Sequence, residues 1–430
     1  MRFRRAMPAM AASLIAITAI TACGSSKKSS DTTTAPAVSE PASVETTPVV
    51  ETTAVVATSA ASAETTPAEG ATTVAAATGA EAASLKGICP DPVVVQTDWH
   101  PEIDHAELYV LSAPGGDNDK DKEIYTAPLI DPRNGKDTGV KIEIRAGGPA
   151  IGFQQVTAQM YTDPSIFLGY VNTDEAIQNA KEKPTVAIVA PRETSAQIIM
   201  WDPATYPEAK TIADLKEKKV KIRYFQGATY MEYLIDSGIV DKGQADGSYD
   251  GSPAAFVADG GKSAQQGFST AEPYNYKNAV EGWKKDVAYQ LIGATGYDIY
   301  GEAIAVKPAT LTEKADCLKA LVPMFQAAQV KLKADPKPTT ELIANIVAEQ
   351  NKGWQYSVEQ GDAAVVQSFA DGIIGNGPNA TLGDLDDAKI QKLIDVLRPI
   401  FAKQNAPIPE NLKPSDIYTN QFIDTSIGVK

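Results

Sequence analysis

Apolar residues in this chain fall into short runs separated by longer segments where they recur every three or four positions. The alternation of the two patterns outlines the architecture. Residues 93–95 are three consecutive valines, which read as a buried strand, and Pro101, with no N–H to donate, ends any ladder there. Residues 140–144 alternate apolar and polar, and 166–171 and 184–190 are further apolar strands. Between them Gly147 and Gly148 permit a tight turn, 152–160 read as a helix, and Asn172 to Glu175 reads as a capping box with Asn172 as the cap. Residues 198–201 run extended into a second region. That region holds a capped helix at 211–216, a strand at 219–224, a glycine turn into a helix at 225–229 and a strand at 266–271, and strands at 289–293 and 297–306 bring the chain back. Beyond it, Leu318, Leu321, Val322 and Phe325, and then Ile390, Leu393, Ile394, Leu397 and Phe401, recur on single helical faces. Trp354 and Tyr356, on a Gly-Trp-Gln-Tyr break between helices, read as packing. Strands alternating with helices predict an α/β fold of mixed, mostly parallel sheets flanked by helices, with crossings between two regions near 189–197 and 294–302.

The first 85 residues fit none of this. Arg2, Arg4 and Arg5 precede an apolar stretch at 7–19 and then Ile20-Thr21-Ala22-Cys23, a pattern similar to a bacterial lipoprotein signal with its lipidated cysteine. The apolar stretch is short of the roughly 20 residues that span a bilayer. The expectation is export, acylation of Cys23, and an extracytoplasmic protein held on the outer face of the cell membrane. Residues 24–85 are Ala, Thr, Ser, Glu, Val and Pro with almost no large apolar side chain. Such a segment cannot bury enough area to offset its ordering entropy and reads as a disordered tether with a reach of about 43 Å.

Residues 86–430 are more than one ordinary core accommodates and suit two lobes: 86–190 with 300–430, and 191–299. Thirty-nine basic against 54 acidic residues give a formal charge of −15. That argues against nucleic-acid binding, which needs a basic face. Of three cysteines, Cys23 is the lipid site. Cys89 and Cys317 in an oxidising compartment are a candidate disulfide, or two buried free thiols. No metal site is expected, since no Cys or His lies at ligand spacing.

Chemistry gathers at the end of the first strand, where Asp98, Trp99, Pro101, His105 and Tyr109 follow within a few residues. In open α/β sheets ligands bind at such rims. These five positions resemble the D-W-x-P-x-x-x-H-x-x-x-Y opening of the NMT1/THI5-like solute-binding proteins. Gly147-Gly148-Pro149 with Gln155, Gly169-Tyr170, the helix Ile212 to Lys216, and Glu272-Pro273 resemble later family positions in order. Glu107 stands where that family has glycine, and 112–139 is a long polar excursion where it has a short helix and turn.

The resemblance implies a two-lobe type II periplasmic binding protein fold and capture of a solute by closure of the lobes, followed by recognition by an ABC permease. It makes Trp99 and Tyr109 candidate stacking walls. Tyr170, Asn172, Asp174 and Gly148 are candidates from lobe one, and Gly227, Thr229, Glu272 and Tyr274 from lobe two, with Tyr297 and Tyr300 near the hinge. His105 either donates to the ligand or bonds a carbonyl behind the strand. The aromatics with Asp98, Asp174 and Glu272 favour a flat nitrogen-containing ligand, neutral or cationic, such as a pyrimidine. Scarcity of arginine near the motifs argues against sulfonate or nitrate, which need donors or positive charge; Arg145, beside the Gly-Gly-Pro turn, is the exception. A pyrimidine-building enzyme of the same family is an alternative without support here, because the Cys-rich cluster and the histidine of those enzymes are missing between Tyr170 and Ala176, and no cofactor is implied. A cell-surface sensor or structural lipoprotein with this fold is another alternative. A monomer is expected, and the sequence leaves open whether the 112–139 excursion covers the cleft.

Overall fold

The computed structural model describes residues 84–429. The leader, Cys23 and residues 24–83 of the expected tether lie outside the described residues. Leu85, which composition places at the tether's end, belongs to the fold: it is fully buried and its N–H donates to the Thr138 carbonyl at 2.9 Å.

The strands in chain order are β1 (Val93–Gln96), β2 (Asp117–Asp119), β3 (Ile124–Asp131), β4 (Lys136–Arg145), β5 (Leu168–Val171), β6 (Val186–Val189), β7 (Gln197–Trp201), β8 (Ile222–Arg223), β9 (Ala245–Asp246), β10 (Ala264–Phe268), β11 (Ala288–Leu291) and β12 (Ala303–Val306). They form two sheets flanked by helices. The first has the order β2-β3-β4-β1-β5-β12-β6 and the second β11-β7-β10-β8-β9. Both are mixed. Parallel pairing occupies three adjacent strands in each, β4-β1-β5 and β10-β8-β9. Antiparallel pairing comes from the β2-β3-β4 meander, from β12 between β5 and β6, and from β7 between β10 and β11. The chain leaves the first sheet after β6 and returns to it at β12.

Residues 93–95 and the β6 run VAIV are buried throughout, as two-sided cover requires. β4 instead alternates along its length, because one of its faces meets solvent. Helices Ala315–Ala334 and Asp387–Lys403 present the apolar stripes legible in the sequence, with Leu318, Leu321, Val322 and Phe325 in one core and Ile390, Leu393, Ile394, Leu397 and Phe401 in the other.

Several local expectations are replaced. Residues 152–160 are a short 3-10 turn, Gly148–Ile151, and then the helix Val156–Thr162. Residues 297–302 are not strand, and only Ala303–Val306 pairs. Asn172 precedes the helix Thr173–Asn179 but makes no side-chain cap. Its Oδ1 accepts from the Glu302 N–H at 2.8 Å, and Glu175 accepts from the Thr157 N–H at 2.8 Å. Each side chain makes a tertiary contact in place of the local cap.

The 112–139 excursion becomes β2, β3 and the start of β4. It extends the first sheet rather than covering a cleft. Asn118 stitches it to the helix Lys337–Gln350, donating to the Ile346 carbonyl at 3.3 Å and Glu349 at 3.0 Å and accepting from Gln350 at 3.1 Å.

Cys89 and Cys317 are bonded, with Cα atoms 4.9 Å apart and a separation of 228 positions along the chain. The bridge ties the segment before β1 to the helix that follows the return crossing, so the whole second sheet lies inside its loop. Replacing both cysteines with serine is expected to cost about 2–5 kcal/mol. Urea unfolding with and without reductant checks it, and reductant should leave the variant unchanged.

Candidate functional site

A cavity of about 190 Å³ lies at the seam between the two sheets' halves. The first half contributes Asp98, Trp99, Glu102, Glu302 and Trp354; the second contributes Gln197, Phe225, Tyr249, Gln266, Phe268 and Glu272. A wider chamber of about 590 Å³ adjoins it and shares Tyr249, Gly251, Ala271, Glu272 and Trp354. Aromatic rings therefore face the inner chamber from both sides, and four carboxylates sit among them.

Trp99 is held from below by the Gly147-Gly148 turn. The Gly147 N–H donates to the Trp99 carbonyl and the Gly148 N–H to the Asp98 carbonyl, both at 2.8 Å. A Cβ on Gly147 would lie 2.3 Å from Asp98 backbone, and one on Gly148, at φ +54°, 2.6 Å from the Trp99 ring. Glycine is thus required at both positions by close approach. Trp354 meets Trp99 edge to face at 6.2 Å and stacks on His100 at 5.4 Å. His100 is paired with Glu123 at 3.3 Å, and burial lowers its pKa against the pull of that carboxylate.

From the second half, Glu272 opens the helix Glu272–Asn278 and accepts from the Phe268 N–H at 2.6 Å. Gly267 makes room for it, since a Cβ there would meet Glu272 Cγ at 2.7 Å. Burial raises the Glu272 carboxyl to about 7, against its hydrogen bond from Phe268. Glu102 is pushed well above the usual carboxylate range by burial and then by the neighbouring Asp104 and Asp98. Phe225 is set by its N–H donating to Gln266 Oε1 at 2.7 Å, and its ring lies 4.9 Å from Tyr249.

Beneath the chamber runs a buried ionic chain. Arg192, on the first crossing segment, is 1% exposed and pairs with Asp104 at 3.1 Å and with Glu302. Thr270 of the second half donates to Asp104 at 3.3 Å, closing the seam. His105 Nε2 lies 2.8 Å from Asp98 Oδ1. Asp98, His105 and Glu302 place their ligand atoms within 4.8 Å of one another. His105 and Asp98 are already spent on each other and Glu302 on Arg192, so a cation there would have to displace the guanidinium.

Of the residues singled out from sequence, Asp98, Trp99, Glu272 and Tyr274 line the two chambers, Tyr274 in the wider one. Gly148 lies directly beneath Trp99. The others do not line either chamber. Tyr109 is core, 3% exposed, with burial raising its hydroxyl far above the ordinary range. Tyr170 is fully buried and donates to Glu107, the residue standing where the resembled family has glycine. Glu107, raised by burial, is also bonded by Gln329 at 2.8 Å. His105 faces Asp98 from behind the strand. Asn172 serves Glu302, and Asp174, raised by burial, accepts from Tyr297 at 2.6 Å. Tyr300 donates no bond to the cleft; its hydroxyl accepts from the Asp386 N–H at 2.9 Å. Gly227, at φ +92°, turns the chain into the helix Thr229–Asp236, which Thr229 begins.

Sequence reasoning missed Glu102, Phe225, Tyr249, Phe268, Glu302 and above all Trp354. Phe225 was visible as the residue ending a strand before a glycine turn. Trp354 gave only a helix-breaking Gly-Trp dipeptide, which equally describes packing. Arg145, the candidate anion donor, is consumed by Glu143 at 2.7 Å, Asp163 at 2.8 Å and Ser165 at 3.1 Å, and lines neither chamber.

The periplasmic aliphatic sulphonate binding protein SsuA from Escherichia coli superposes with a TM-score of 0.50 at 15% identity, covering 78% of this chain and 94% of that one. The fold is that of the periplasmic binding proteins. The alkanesulfonate-binding protein SsuA from Xanthomonas axonopodis pv. citri, bound to MOPS, gives a TM-score of 0.46 at 13% identity over 77% of this chain and 99% of its own. The periplasmic nitrate-binding protein NrtA from Synechocystis PCC 6803 gives 0.38 at 14% over 76% and 93%. No family model matches the chain, and no curated protein matches it.

Proposed function

We propose that this protein is the extracytoplasmic solute-binding component of an ABC importer, tethered to the membrane through Cys23, that captures a small nitrogen-containing solute such as a pyrimidine in the cleft between its halves. The observation that carries this reading is the void at the seam, faced by Trp99 and Trp354 from one half and by Phe225 and Tyr249 from the other. A protein that only packed its halves together would fill that space with its own side chains, as interiors generally do. Among the described residues no helix is long and apolar enough to cross a membrane, which agrees with a leader and lipid anchor providing attachment. The neighbours named above are binding proteins, which supports binding rather than catalysis.

Ligand polarity follows from what lines the inner chamber. Asp98, Glu102, Glu272 and Glu302 are there, and no lysine or arginine is. A buried anion would find carboxyl groups and no compensating positive charge. A thermal-shift screen tests the reading. A bound solute at a hundredfold its Kd stabilises by about 2.7 kcal/mol, a rise of roughly several degrees in Tm. Cytosine, aminopyrimidines and small amines should include at least one that produces it, and taurine and nitrate should not; stabilisation by taurine or nitrate alone would overturn the proposal.

A further inference from the structure

Asp98 lines the inner chamber, and the group that holds its carboxylate does not. His105 Nε2 lies 2.8 Å from Asp98 Oδ1, with the imidazole fully buried and the Asp98 side chain 26% exposed. The other oxygen, Oδ2, is accessible and has no hydrogen-bond partner among the described residues. The Asp98 backbone is fixed as well, since its carbonyl accepts the Gly148 N–H at 2.8 Å. The spacing of the motif produces this arrangement. Pro101 ends the strand, and the 3-10 turn Ile103–His105 brings the ring back to a carboxylate seven positions earlier.

The proton on the imidazole follows from its two nitrogens. A bare Nε2 lone pair so close to a carboxylate oxygen would be repelled, so Nε2 carries a hydrogen and donates it to Asp98. Nδ1 is buried and has no partner. The neighbouring polar groups are engaged elsewhere: Tyr170, edge-on to the imidazole at 5.0 Å, donates its hydroxyl to Glu107, and Glu302, within 4.8 Å of the His105 and Asp98 atoms, is held by Arg192. A second proton on Nδ1 would therefore be a buried donor facing no acceptor.

We propose that His105 is a positioning residue of the solute site, a neutral Nε2–H donor that fixes Asp98 Oδ1 and thereby aims Oδ2, its charge uncancelled, at an N–H group of the solute. This rests on reading the cleft as a solute site and assigns the direction from which one donor of the solute arrives. The contrast with Glu302 shows what the choice of residue does. Arg192 holds that carboxylate and offsets its charge, whereas a neutral imidazole orients Asp98 and leaves the full charge for a charge-assisted hydrogen bond.

The chain has two histidines, so nitrogen-15 labelling of histidine in the full chain gives two imidazoles, and the signal lost in His105→Gln assigns this one. At neutral pH His105 should show a protonated Nε2 and a bare Nδ1. A ring protonated on Nδ1, alone or together with Nε2, overturns the proposal whatever the cleft binds. Native mass spectrometry after exposure to a polar metabolite extract reads the effect on capture. His105→Leu, which has no donor, should lower occupancy of the retained compound about tenfold, and His105→Gln, whose amide N–H restores the donor, should recover most of that loss. In an Asp98→Ala background His105→Leu should make no further difference. Circular dichroism and unfolding midpoints confirm that each variant folds. Undiminished retention by folded His105→Leu overturns the positioning role and leaves solute capture intact. Retention of nothing by wild type overturns solute capture, and the role with it.

Discussion

Glu272→Gln is expected to make the empty protein more stable above neutral pH while weakening its hold on a cationic solute. Burial raises the Glu272 carboxyl from its ordinary 4.5 to about 7. Between those values the unfolded chain releases its proton and the folded chain keeps it. Stability is therefore fully present below about pH 4.5, declines as pH rises, and is lost by the time pH passes 7. A shift of this size corresponds to up to about 3 kcal/mol. Glutamine fills the same volume and cannot ionise, so the variant's curve should be flatter by that amount between pH 5 and pH 8, as read by urea unfolding at both. An unchanged pH dependence would show that Glu272 is not the titrating group. On the binding side, losing one charge-assisted contact should reduce affinity for a protonated amine about ten- to a hundredfold. In the wild type the same acid makes capture pH-dependent: affinity for a cation rises as pH climbs through 7 and the carboxylate forms.

Arg192→Met should be among the most damaging single changes in the molecule. Arg192 is buried between Asp104 and Glu302, and its loss strands both carboxylates. Breaking a buried pair in this way costs about 3–5 kcal/mol. Because Asp104 also receives Thr270 from across the seam, the change should loosen one half against the other as well as destabilise the whole. Chemical denaturation at pH 7 reads it. A loss below about 1 kcal/mol at pH 7 would mean that solvent reaches the carboxylates.

Glu272 and Arg192 were unequally visible in the sequence. Glu272 stood out because an apolar run ends in Glu-Pro, a local signal that places a carboxylate at a strand's exit. Arg192 carried no signal, since its meaning comes from Asp104 and Glu302, the latter 110 positions away in the chain. The same distinction runs through the fold. Strands β1, β4 and β6 and the long helices were legible because burial imposes a period on each segment by itself. The order of the strands and the course of residues 112–139 were not, because sheet pairing joins distant segments. Within the site, Trp99 was legible from the motif around it and from the glycines that support it. Tyr109, Tyr170 and His105 belong to that motif or its neighbours but are buried in the core, His105 and Tyr109 on the helical turns Ile103–His105 and Ala106–Val110 and Tyr170 within β5, because a shared sequence pattern does not put side chains in a shared cavity. Trp354 reaches the cleft only because a helix break brings it there.

The stitch between Asn118 and the end of the helix Lys337–Gln350 reaches beyond the sheet edge it closes. That helix ends at Asn351, in the left-handed conformation at φ +49°, and Gly353 follows at φ +89° just before Trp354. The indole wall is thus cantilevered from a helix end that the edge hairpin braces at three points. Trimming the hairpin to engineer a shorter receptor would remove the brace and let the wall swing, so a deletion remote from any bound molecule would register as a change in how quickly that molecule escapes.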